Sequence, residues 1–210
     1  MESMWMSWVR KLQSIAQAGL SYSKDEHDLG RFRQVQKIAA EIAAHATDGD
    51  LKKISKLFHA EIGYATPKID VRAAVFNKKG ELLLVREKVD ENKWTLPGGW
   101  GDVECSPSEN TEREVLEESG LTVKARKLAA VYDRNLHGYT PHSWHSYKIF
   151  FICDVVGGEL SSTLETSEAK FFTEEELPLE DEISVGRSRL KHIRRMFEHY
   201  HKPDLPTDFD

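Results

Sequence analysis

The sequence predicts an α+β protein in two parts: a small N-terminal helical domain over residues 1–64 and a mixed α/β domain over residues 66–210. Up to residue 65 the apolar side chains recur at helical spacing, whereas beyond Thr66-Pro67 they alternate or run together as they do in strands. Inside the second part, a glycine-rich loop leads into a strongly capped helix. A chain of 210 residues is long enough for one domain or two small ones.

The composition is that of a globular protein in water. Lys and Arg number 29 against 35 Asp and Glu, which gives a net charge of −6. An acidic balance disfavours nucleic-acid binding, which needs Lys and Arg to neutralise phosphates. No apolar run approaches the ~18 residues of a membrane span. The first residues lack the basic and apolar regions of a signal peptide. The two cysteines, Cys105 and Cys153, are too few for a disulfide scaffold. We therefore expect a cytoplasmic protein with no membrane partner and no nucleic-acid partner.

Three apolar stripes at helical spacing predict three helices before residue 65. Breaks fall at residues 19–28 and 46–49, and Asp50 is a suitable N-cap for the third helix. The stripes offer more apolar area than so small a bundle can bury internally, so we expect a homodimer to which this domain supplies part of the interface. The stripes consist of Trp5, Trp8, Val9, Leu12, Ile15 and Ala16, then of Phe32, Val35, Ile38, Ala39, Ile42 and Ala43, then of Leu51, Ile54, Leu57 and Phe58.

The second part contains a series of strand-like segments. The turn at residues 77–80 joins two apolar runs and predicts a hairpin. The run Tyr147–Val156 is apolar on both faces, which predicts a central strand covered on both sides. A last helix is predicted at about residues 187–201, where Leu190, Ile193, Phe197 and Tyr200 form one stripe. The predicted strands are Ile69–Phe76, Leu82–Val85, Leu121–Tyr132, Tyr147–Val156 and Ala169–Phe172.

The segment Gly98–Leu121 carries the strongest local signals in the chain. Ser106 is a suitable N-cap, Pro107 fits the first helical position, and Glu109 completes a capping box. Gly120 provides the left-handed residue that ends a helix, so the helix is predicted over residues 107–119. Three acidic residues of this helix, Glu114, Glu117 and Glu118, lie on one face within one turn. By itself such an acidic face is most often only a solvated surface.

The residues around these glutamates resemble the Nudix box of the nucleoside diphosphate-linked-moiety hydrolases, whose pattern is G-x5-E-x7-R-E-U-x-E-E-x-G-U with U aliphatic. One position departs from it, because Cys105 stands where the family has its first glutamate. The positions in register are Gly99, Arg113, Glu114, Val115, Glu117, Glu118, Gly120 and Leu121. The likeness extends over nearly the whole chain to a subgroup with an N-terminal helical domain, which includes CDP-choline pyrophosphatases and proteins labelled ADP-ribose pyrophosphatases. The resemblance implies a Nudix α/β/α sandwich with a mixed sheet, preceded by that helical domain.

The resemblance also implies a metal site. Mg²⁺ or Mn²⁺ ions would be held by Glu114, Glu117 and Glu118 and by the backbone carbonyl of Gly98, and Arg113 would orient one of the glutamates. Outside the box, Glu168 is the expected further catalytic glutamate, with Glu165 as its competitor and a plain solvated carboxylate as the alternative for either. For Cys105 we expect a small packed thiol; the alternative is a thiolate metal ligand, which Mg²⁺ disfavours.

The stretch Asp133–His145 is the expected specificity region, with three histidines, Tyr139 and Trp144 in a short loop. The histidine spacing does not match a structural zinc site, and no cysteine joins them. Imidazoles can hydrogen-bond phosphate and aromatic rings can stack on a base. A flexible polar loop is the alternative, and core packing explains the tryptophans Trp94 and Trp100 equally well. The residues expected to contact substrate are His137, Tyr139, His145 and Trp100.

The function predicted from these observations is metal-dependent hydrolysis of the diphosphate bond in a nucleoside diphosphate linked to another group. CDP-choline is the first candidate substrate and ADP-ribose the second. An alternative within the enzyme class is removal of pyrophosphate from an RNA 5′ end, which the net charge of −6 disfavours. An alternative from another class is a non-catalytic module that senses a nucleotide metabolite. Such modules typically lose the Arg-Glu and Glu-Glu pairs of the box, and this chain keeps both.

Overall fold

The computed structural model describes residues 4–210 and divides the chain into two compact units. The helical unit comprises the chain up to Pro67 together with the short segment Pro141–His145. The second unit comprises Lys68–Thr140 and Ser146–Asp210. Among residues 4–210, no helix has both the length and the apolar character needed to cross a membrane.

Three helices form the first unit, as the stripes predicted: α1 (Met4–Tyr22), α2 (Glu26–Thr47) and α3 (Leu51–Ala60). The breaks are shorter than expected because Asp25 caps α2 and Asp50 caps α3, each by accepting backbone N–H bonds with its side chain. The segment Pro141–His145 joins this unit because the Trp144 ring lies 6.3 Å from the Phe58 ring. The core consists of Val9, Ala39, Ala40, Ala43 and Phe58, with Leu12, Ile42, Ile54 and Trp144 packed against it.

Part of each apolar stripe stays outside that core. Trp5 and Trp8 pack edge to face, with ring centroids 5.0 Å apart, yet Trp5 is 53% exposed. Ile15 on α1 and Ile38 on α2 are half-exposed as well. Exposed apolar residues of this kind, gathered on neighbouring helices, are typical of a surface that associates with a partner.

A mixed sheet of seven strands organises the second unit. The strands are β1 (Lys68–Phe76), β2 (Leu82–Glu87), β3 (Lys93–Thr95), β4 (Leu121–Asp133), β5 (Ser146–Gly158), β6 (Thr166–Phe172) and β7 (Asp208–Phe209). Their order is β3-β2-β1-β5-β4-β7, and β6 also pairs with β2. The predicted hairpin is confirmed, since β1 and β2 pair antiparallel. The predicted central strand is confirmed too, because β5 lies between β1, its parallel neighbour, and β4, its antiparallel neighbour.

Two helices cover the opposite faces of this sheet, α4 (Pro107–Ser119) and α5 (Leu190–His201). Successive side chains of a strand point to opposite faces. On β1, Val75 accordingly packs with Val115 of α4, whereas Phe76 packs with Phe197 of α5. This arrangement is the α/β/α sandwich with a mixed sheet that the sequence predicts.

Candidate active site

Helix α4 spans the predicted residues 107–119, and its start and end are made by local contacts. The Ser106 side chain accepts the Glu109 N–H at 3.2 Å, and the Glu109 carboxylate accepts the Ser106 N–H at 2.8 Å. Gly120 ends the helix in the left-handed conformation at φ 75°. Because the helix has a fixed start and end, its acidic side chains have fixed positions along its axis.

The glycine loop before α4 is held along strand β1. Ala73 N–H donates to Pro97 O at 2.8 Å, and Val71 N–H donates to Gly99 O at the same distance. Gly98 adopts φ 141°, and a Cβ there would lie 2.0 Å from Val71 O. Only glycine can occupy this position, so the loop lies closer to the strand than a side chain would allow.

Glu118 is the most buried of the box glutamates, with 2% of the residue exposed. Its Oε2 accepts the Gly98 N–H at 2.9 Å. Burial raises the pKa of Glu118 to about 8, against the opposing effects of the Arg72 charge and the Gly98 hydrogen bond. A buried carboxylate with one backbone hydrogen bond and a raised pKa is poorly compensated by the protein alone, which suits a site for a cation.

Glu114 lies one turn earlier, against the next glycine. A Cβ on Gly99 would lie 2.7 Å from Glu114 Oε2, so the carboxylate occupies the space that the absent side chain leaves. Burial raises the pKa of Glu114 as well, although the Arg113 charge opposes the increase. Two consecutive glycines therefore bring the loop backbone against the Glu114 and Glu118 carboxylates of α4.

Arg113 connects the third box glutamate to the loop. It donates to Glu117 at 2.7 Å and to Glu114 at 3.0 Å, and it lies 2.9 Å from Asp102. Asp102 thus provides the carboxylate that Cys105 lacks. Cys105 is exposed, so the expected packed thiol is wrong. A side chain just before the N-cap points into solvent because the first turn of α4 needs no packing there.

A buried charge cluster beside the box was not predicted from the sequence. On β1, Arg72 donates to Asp70 through Nε at 2.8 Å and through a terminal nitrogen at 3.2 Å. Lys148 of β5 donates to the same carboxylate at 2.9 Å. Burial by itself would raise the pKa of Asp70, but the two cations outweigh it and lower that pKa to about 2. The Arg72 charge also acts on Glu118, so this cluster forms part of the electrostatic environment of the box.

Glu87 is a second acid that sequence reasoning missed. It lies at the end of β2, is buried, and pairs with Arg187 at 2.6 Å. Its Oε1 is buried with no hydrogen-bond partner. Burial raises the pKa of Glu87, and its charge contributes to the raised pKa of Glu118. The only sequence signal was a charged residue at the end of an apolar strand, which is common on surfaces.

The two glutamates expected outside the box lie on and just before β6. Glu168 faces Arg86 of β2, with 3.6 Å between Oε2 and Nε, and its side chain is 48% exposed. Glu165 is exposed as well, and its charge contributes to the raised pKa values of Glu114 and Glu87. Both glutamates therefore stay candidates for the further catalytic role.

The four residues expected to contact substrate differ in exposure and in the unit to which they belong. Trp100 is 46% exposed and follows the glycine loop, bridging to Asp70 through the backbone. His145 lies in the segment that belongs to the helical unit. Tyr139 is buried, with its hydroxyl 2.7 Å from His192 Nδ1, and His137 lies between His192 and Asp210. The structure thus gives Tyr139 and His137 partners within the protein rather than an open loop.

The donors at the box suit a metal that binds together with a phosphate. Glu114 and Glu118 offer carboxylate oxygens, which Mg²⁺ and Mn²⁺ prefer to nitrogen or sulfur. Over residues 4–210, no three His, Cys, Asp or Glu side chains come together as a ready-made metal site. Mg²⁺ is commonly held by one or two carboxylates plus substrate phosphates, so the buried Glu118 and the partly buried Glu114 are sufficient.

Comparisons with known proteins agree with these two units. Residues 66–192 match the family model described as the NUDIX domain, and residues 3–58 match a model described as a UDP-X-like, N-terminal oligomerisation domain. A Bacillus subtilis (strain 168) protein that carries the provisional name ADP-ribose pyrophosphatase YjhB is 39% identical over 209 residues, which cover 100% of this chain and 98% of that protein. An ADP-ribose pyrophosphatase of Methanocaldococcus jannaschii is 35% identical over 61% of this chain and 71% of its own length.

The chain is also similar to solved structures of named diphosphate-cleaving proteins. A crystal structure of an ADP-ribose pyrophosphatase from Streptococcus suis has a TM-score of 0.61 and 34% identity, covering 69% of this chain and 100% of that one. A crystal structure of a UDP-X diphosphatase also has a TM-score of 0.61, with 28% identity over 98% of both chains. The second of these matches both the helical part and the sheet-containing part.

Proposed function

The chain belongs to the NUDIX family, and we propose that it hydrolyses the diphosphate bond of a nucleoside diphosphate linked to another group. The products are a nucleoside monophosphate and the phosphorylated second group. The observation that carries the proposal is the contact of Gly98 with the buried Glu118 carboxylate and of Gly99 with the partly buried Glu114 carboxylate. It supports a site where oxygen donors and a closely approaching backbone meet a diphosphate.

We propose that Mg²⁺ or Mn²⁺ is held by Glu114, Glu118 and the Gly98 carbonyl. Bound there, the metal would offset phosphate charge and lower the pKa of the attacking water. Glu117 stays in the proposal as a further ligand, although its hydrogen bond to Arg113 must then be shared or given up. Arg113 positions Glu114 through its own hydrogen bond.

The chain's own acids supply the proton acceptor. Water attacks one phosphorus, the bridging P–O bond breaks, and a glutamate outside the box takes the water's proton. We propose Glu168 or Glu165 for this role; the Glu165 charge contributes to the raised pKa of Glu114. Trp100, exposed beside the loop, is the best placed of the predicted substrate contacts.

ADP-ribose is the first substrate to test, because the two relatives and one of the two solved structures described above are named for it. A UDP-linked compound follows, from the second structure. CDP-choline, the first candidate from the sequence, remains in the panel. The panel varies the base and the second group separately. Comparing the cleavage rates then distinguishes recognition of the base from recognition of the second group.

The proposed test incubates the full-length chain with this panel and Mg²⁺ or Mn²⁺, and separates the products by chromatography. A nucleoside monophosphate together with the phosphorylated second group is the expected result. A double variant, Glu114→Gln with Glu118→Gln, controls for a contaminating hydrolase. Binding of a nucleotide without cleavage would overturn the proposal in favour of a sensing module. Cleavage confined to a 5′-triphosphorylated RNA would overturn it in favour of the RNA activity.

The helical unit supports a second part of the proposal, a homodimer. Trp5, Trp8, Ile15 and Ile38 remain substantially exposed on neighbouring helices. The family model matched by residues 3–58 is described as an oligomerisation domain. Both observations support an interface formed by this unit.

A further inference from the structure

Four side chains form a hydrogen-bonded series within the second unit. Tyr139 Oη lies 2.7 Å from His192 Nδ1, and His192 Nε2 lies 3.1 Å from His137 Nδ1. His137 Nε2 then lies 2.6 Å from a carboxylate oxygen of Asp210. The series begins at a buried tyrosine and ends at the last residue of the sequence.

Two proton arrangements satisfy all three contacts, and His192 is neutral in both because burial lowers its pKa to about 3. In one, the Tyr139 hydroxyl donates to His192 Nδ1, His192 donates from Nε2 to His137 Nδ1, and His137 donates from Nε2 to Asp210. In the other, a protonated His137 donates to both Asp210 and His192 Nε2, and His192 donates from Nδ1 to the Tyr139 oxygen. In both arrangements His137 donates to Asp210, so loss of that carboxylate disturbs the series from its end.

Packing holds the two imidazoles in place from the neighbouring elements. Tyr132 of β4 lies with its ring 4.3 Å from the His137 ring and 4.9 Å from the His192 ring, and Phe150 of β5 lies 5.8 Å from His192. The positive charges of His137, Lys191, Lys148 and Arg189 act on His192 as well, and all of them disfavour its protonation. The surroundings of the series thus keep the His192 ring neutral, whichever partner its single N–H faces.

At the tyrosine end, the series meets Lys148. The Lys148 ammonium is fully buried and lies 4.9 Å from the centre of the Tyr139 ring. An ammonium group has three donors. Two of them go to Asp70 at 2.9 Å and to the Arg187 carbonyl at 2.9 Å, and the ammonium also lies over the face of the Tyr139 ring. The orientation of the Tyr139 ring therefore helps to set the position of the ammonium.

From Lys148 the contacts continue to the glycine loop. Asp70 accepts from both Lys148 and Arg72, and Arg72 also donates to Leu96 O at 3.2 Å. Leu96 lies two residues before Gly98, whose N–H donates to Glu118. A displaced Lys148 would thus shift the loop that carries the carboxylate contact.

We propose that Asp210, His137, His192 and Tyr139 are positioning residues for the active site, acting through Lys148, Asp70 and Arg72 on the loop at Gly98. None of the four is required to touch the substrate. The proposal rests on the hydrolase activity proposed above, and it assigns His137 and Tyr139 a role different from the substrate contact expected from the sequence.

Asp210 can be altered without detaching the end of the chain. Asp208 is held by Arg195 at 2.6 and 2.8 Å, and Thr207 Oγ1 donates to Leu128 O at 2.8 Å. Asp210→Asn keeps the size of the side chain and removes its charge. Thr207→Val removes a neighbouring hydrogen bond of the same tail and leaves the series intact, so it is the matched control.

The first measurement is ¹⁵N NMR of the histidine rings in the full-length protein without substrate. His192 is expected as a neutral ring with one fixed tautomer in the wild-type chain and in Thr207→Val. A charged His192 ring, or an averaged mixture of its two tautomers, in the wild-type chain would overturn the series. In Tyr139→Phe, which keeps the ring and loses the hydroxyl, His192 is expected to lose its fixed tautomer.

The second measurement is steady-state kinetics on whichever diphosphate the wild-type chain cleaves. Asp210→Asn and Tyr139→Phe are each expected to lower kcat about 2- to 30-fold, the range for residues that act through a network, with KM changed less than about twofold. The double variant is expected to lose less than the product of the two single losses, because both break one series. Thr207→Val is expected to keep the wild-type kcat.

The outcomes separate this proposal from the function it rests on. A wild-type chain that cleaves no diphosphate overturns the proposed function and the positioning role with it. An active wild-type chain with fully active Asp210→Asn overturns the positioning role alone. A raised KM with unchanged kcat in Tyr139→Phe also overturns it, in favour of direct substrate contact.

Discussion

Replacing Glu118 by glutamine should lower turnover by about 10²- to 10⁴-fold, the range for a directly participating group. The substitution removes the negative charge and leaves one oxygen, which can still accept the Gly98 N–H that Glu118 accepts at 2.9 Å. Glutamine has the shape of the protonated acid, so the loop contact is expected to persist. The loss should therefore appear in catalysis and in metal affinity, with the fold intact.

The same substitution should stabilise the metal-free protein. The pKa of Glu118 is raised by burial from 4.5 to about 8 in the folded state, so the unfolded chain gives up this proton more readily than the folded chain. The carboxylate therefore destabilises the fold progressively as the pH rises from about 4.5 to about 8. At pH 7 this difference corresponds to about 3 kcal/mol in the free energy of unfolding. Glu118→Gln removes that cost, because glutamine does not titrate.

The assay combines initial rates at saturating Mg²⁺ with urea unfolding in the presence of a chelator between pH 4.5 and 8.5. Glu112→Gln is the matched control, since Glu112 lies on the same helix and accepts the Ala125 N–H at 2.9 Å. The two chelated proteins, wild type and Glu118→Gln, should have similar stability near pH 4.5 and diverge as the pH rises. Near-wild-type turnover in Glu118→Gln would refute the ligand assignment. A variant less stable than the wild type at pH 7 would mean that the carboxylate is mainly structural.

Three further predictions follow from the site and the helical unit. Cys105→Ser should keep most activity, because the thiol is exposed. Metal titration and kinetics check this prediction, and complete loss of metal binding would show that the thiol is a ligand. Gly99→Ala should lower kcat by an order of magnitude or more, since its Cβ would lie 2.7 Å from Glu114 Oε2. Kinetics measured together with a circular-dichroism melt distinguish a catalytic loss from unfolding. An unchanged kcat would contradict the close approach of Gly99 to Glu114. Light scattering should find a dimer for the full-length chain and a monomer for a chain beginning at Thr66. A full-length monomer at micromolar concentration, or a dimeric and fully active truncated chain, would refute the role of the helices in the dimer interface.

Features that depend on neighbouring residues could be predicted from the sequence. Helix α4 has the predicted bounds because its cap, its first turn and its terminal Gly120 each involve residues within a few positions of one another. Five of the seven strands followed from apolar alternation or from a continuous apolar run, which record burial on one face or on both. Strands β3 and β7 are too short to show either pattern. The box itself is local as well: three glutamates within one turn of a helix that follows a glycine loop.

Features that depend on the path of a loop could not be predicted. Asp102 lies 11 positions before Arg113, and only the path of the loop between them makes it the carboxylate that pairs with this arginine. The sequence predicts one specificity region over Asp133–His145, yet Pro141–His145 packs with the helical unit and Tyr139 turns into the core of the second. Neither outcome has a signal in residue spacing, because irregular segments have no periodicity.

The sequence by itself thus determined the five α-helices of residues 4–210, five of the seven strands and the acidic helix face, because hydrogen bonds and periodicity within a few residues specify them. Only the tertiary structure decided the environment of that face. Asp70 and Lys148 lie 78 positions apart in the chain, and they meet because β1 and β5 pair in parallel with these two residues directly opposite each other. Strand order and register are properties of the whole sheet, so the charges that surround Glu118 follow from the fold and not from the spacing of residues along the chain.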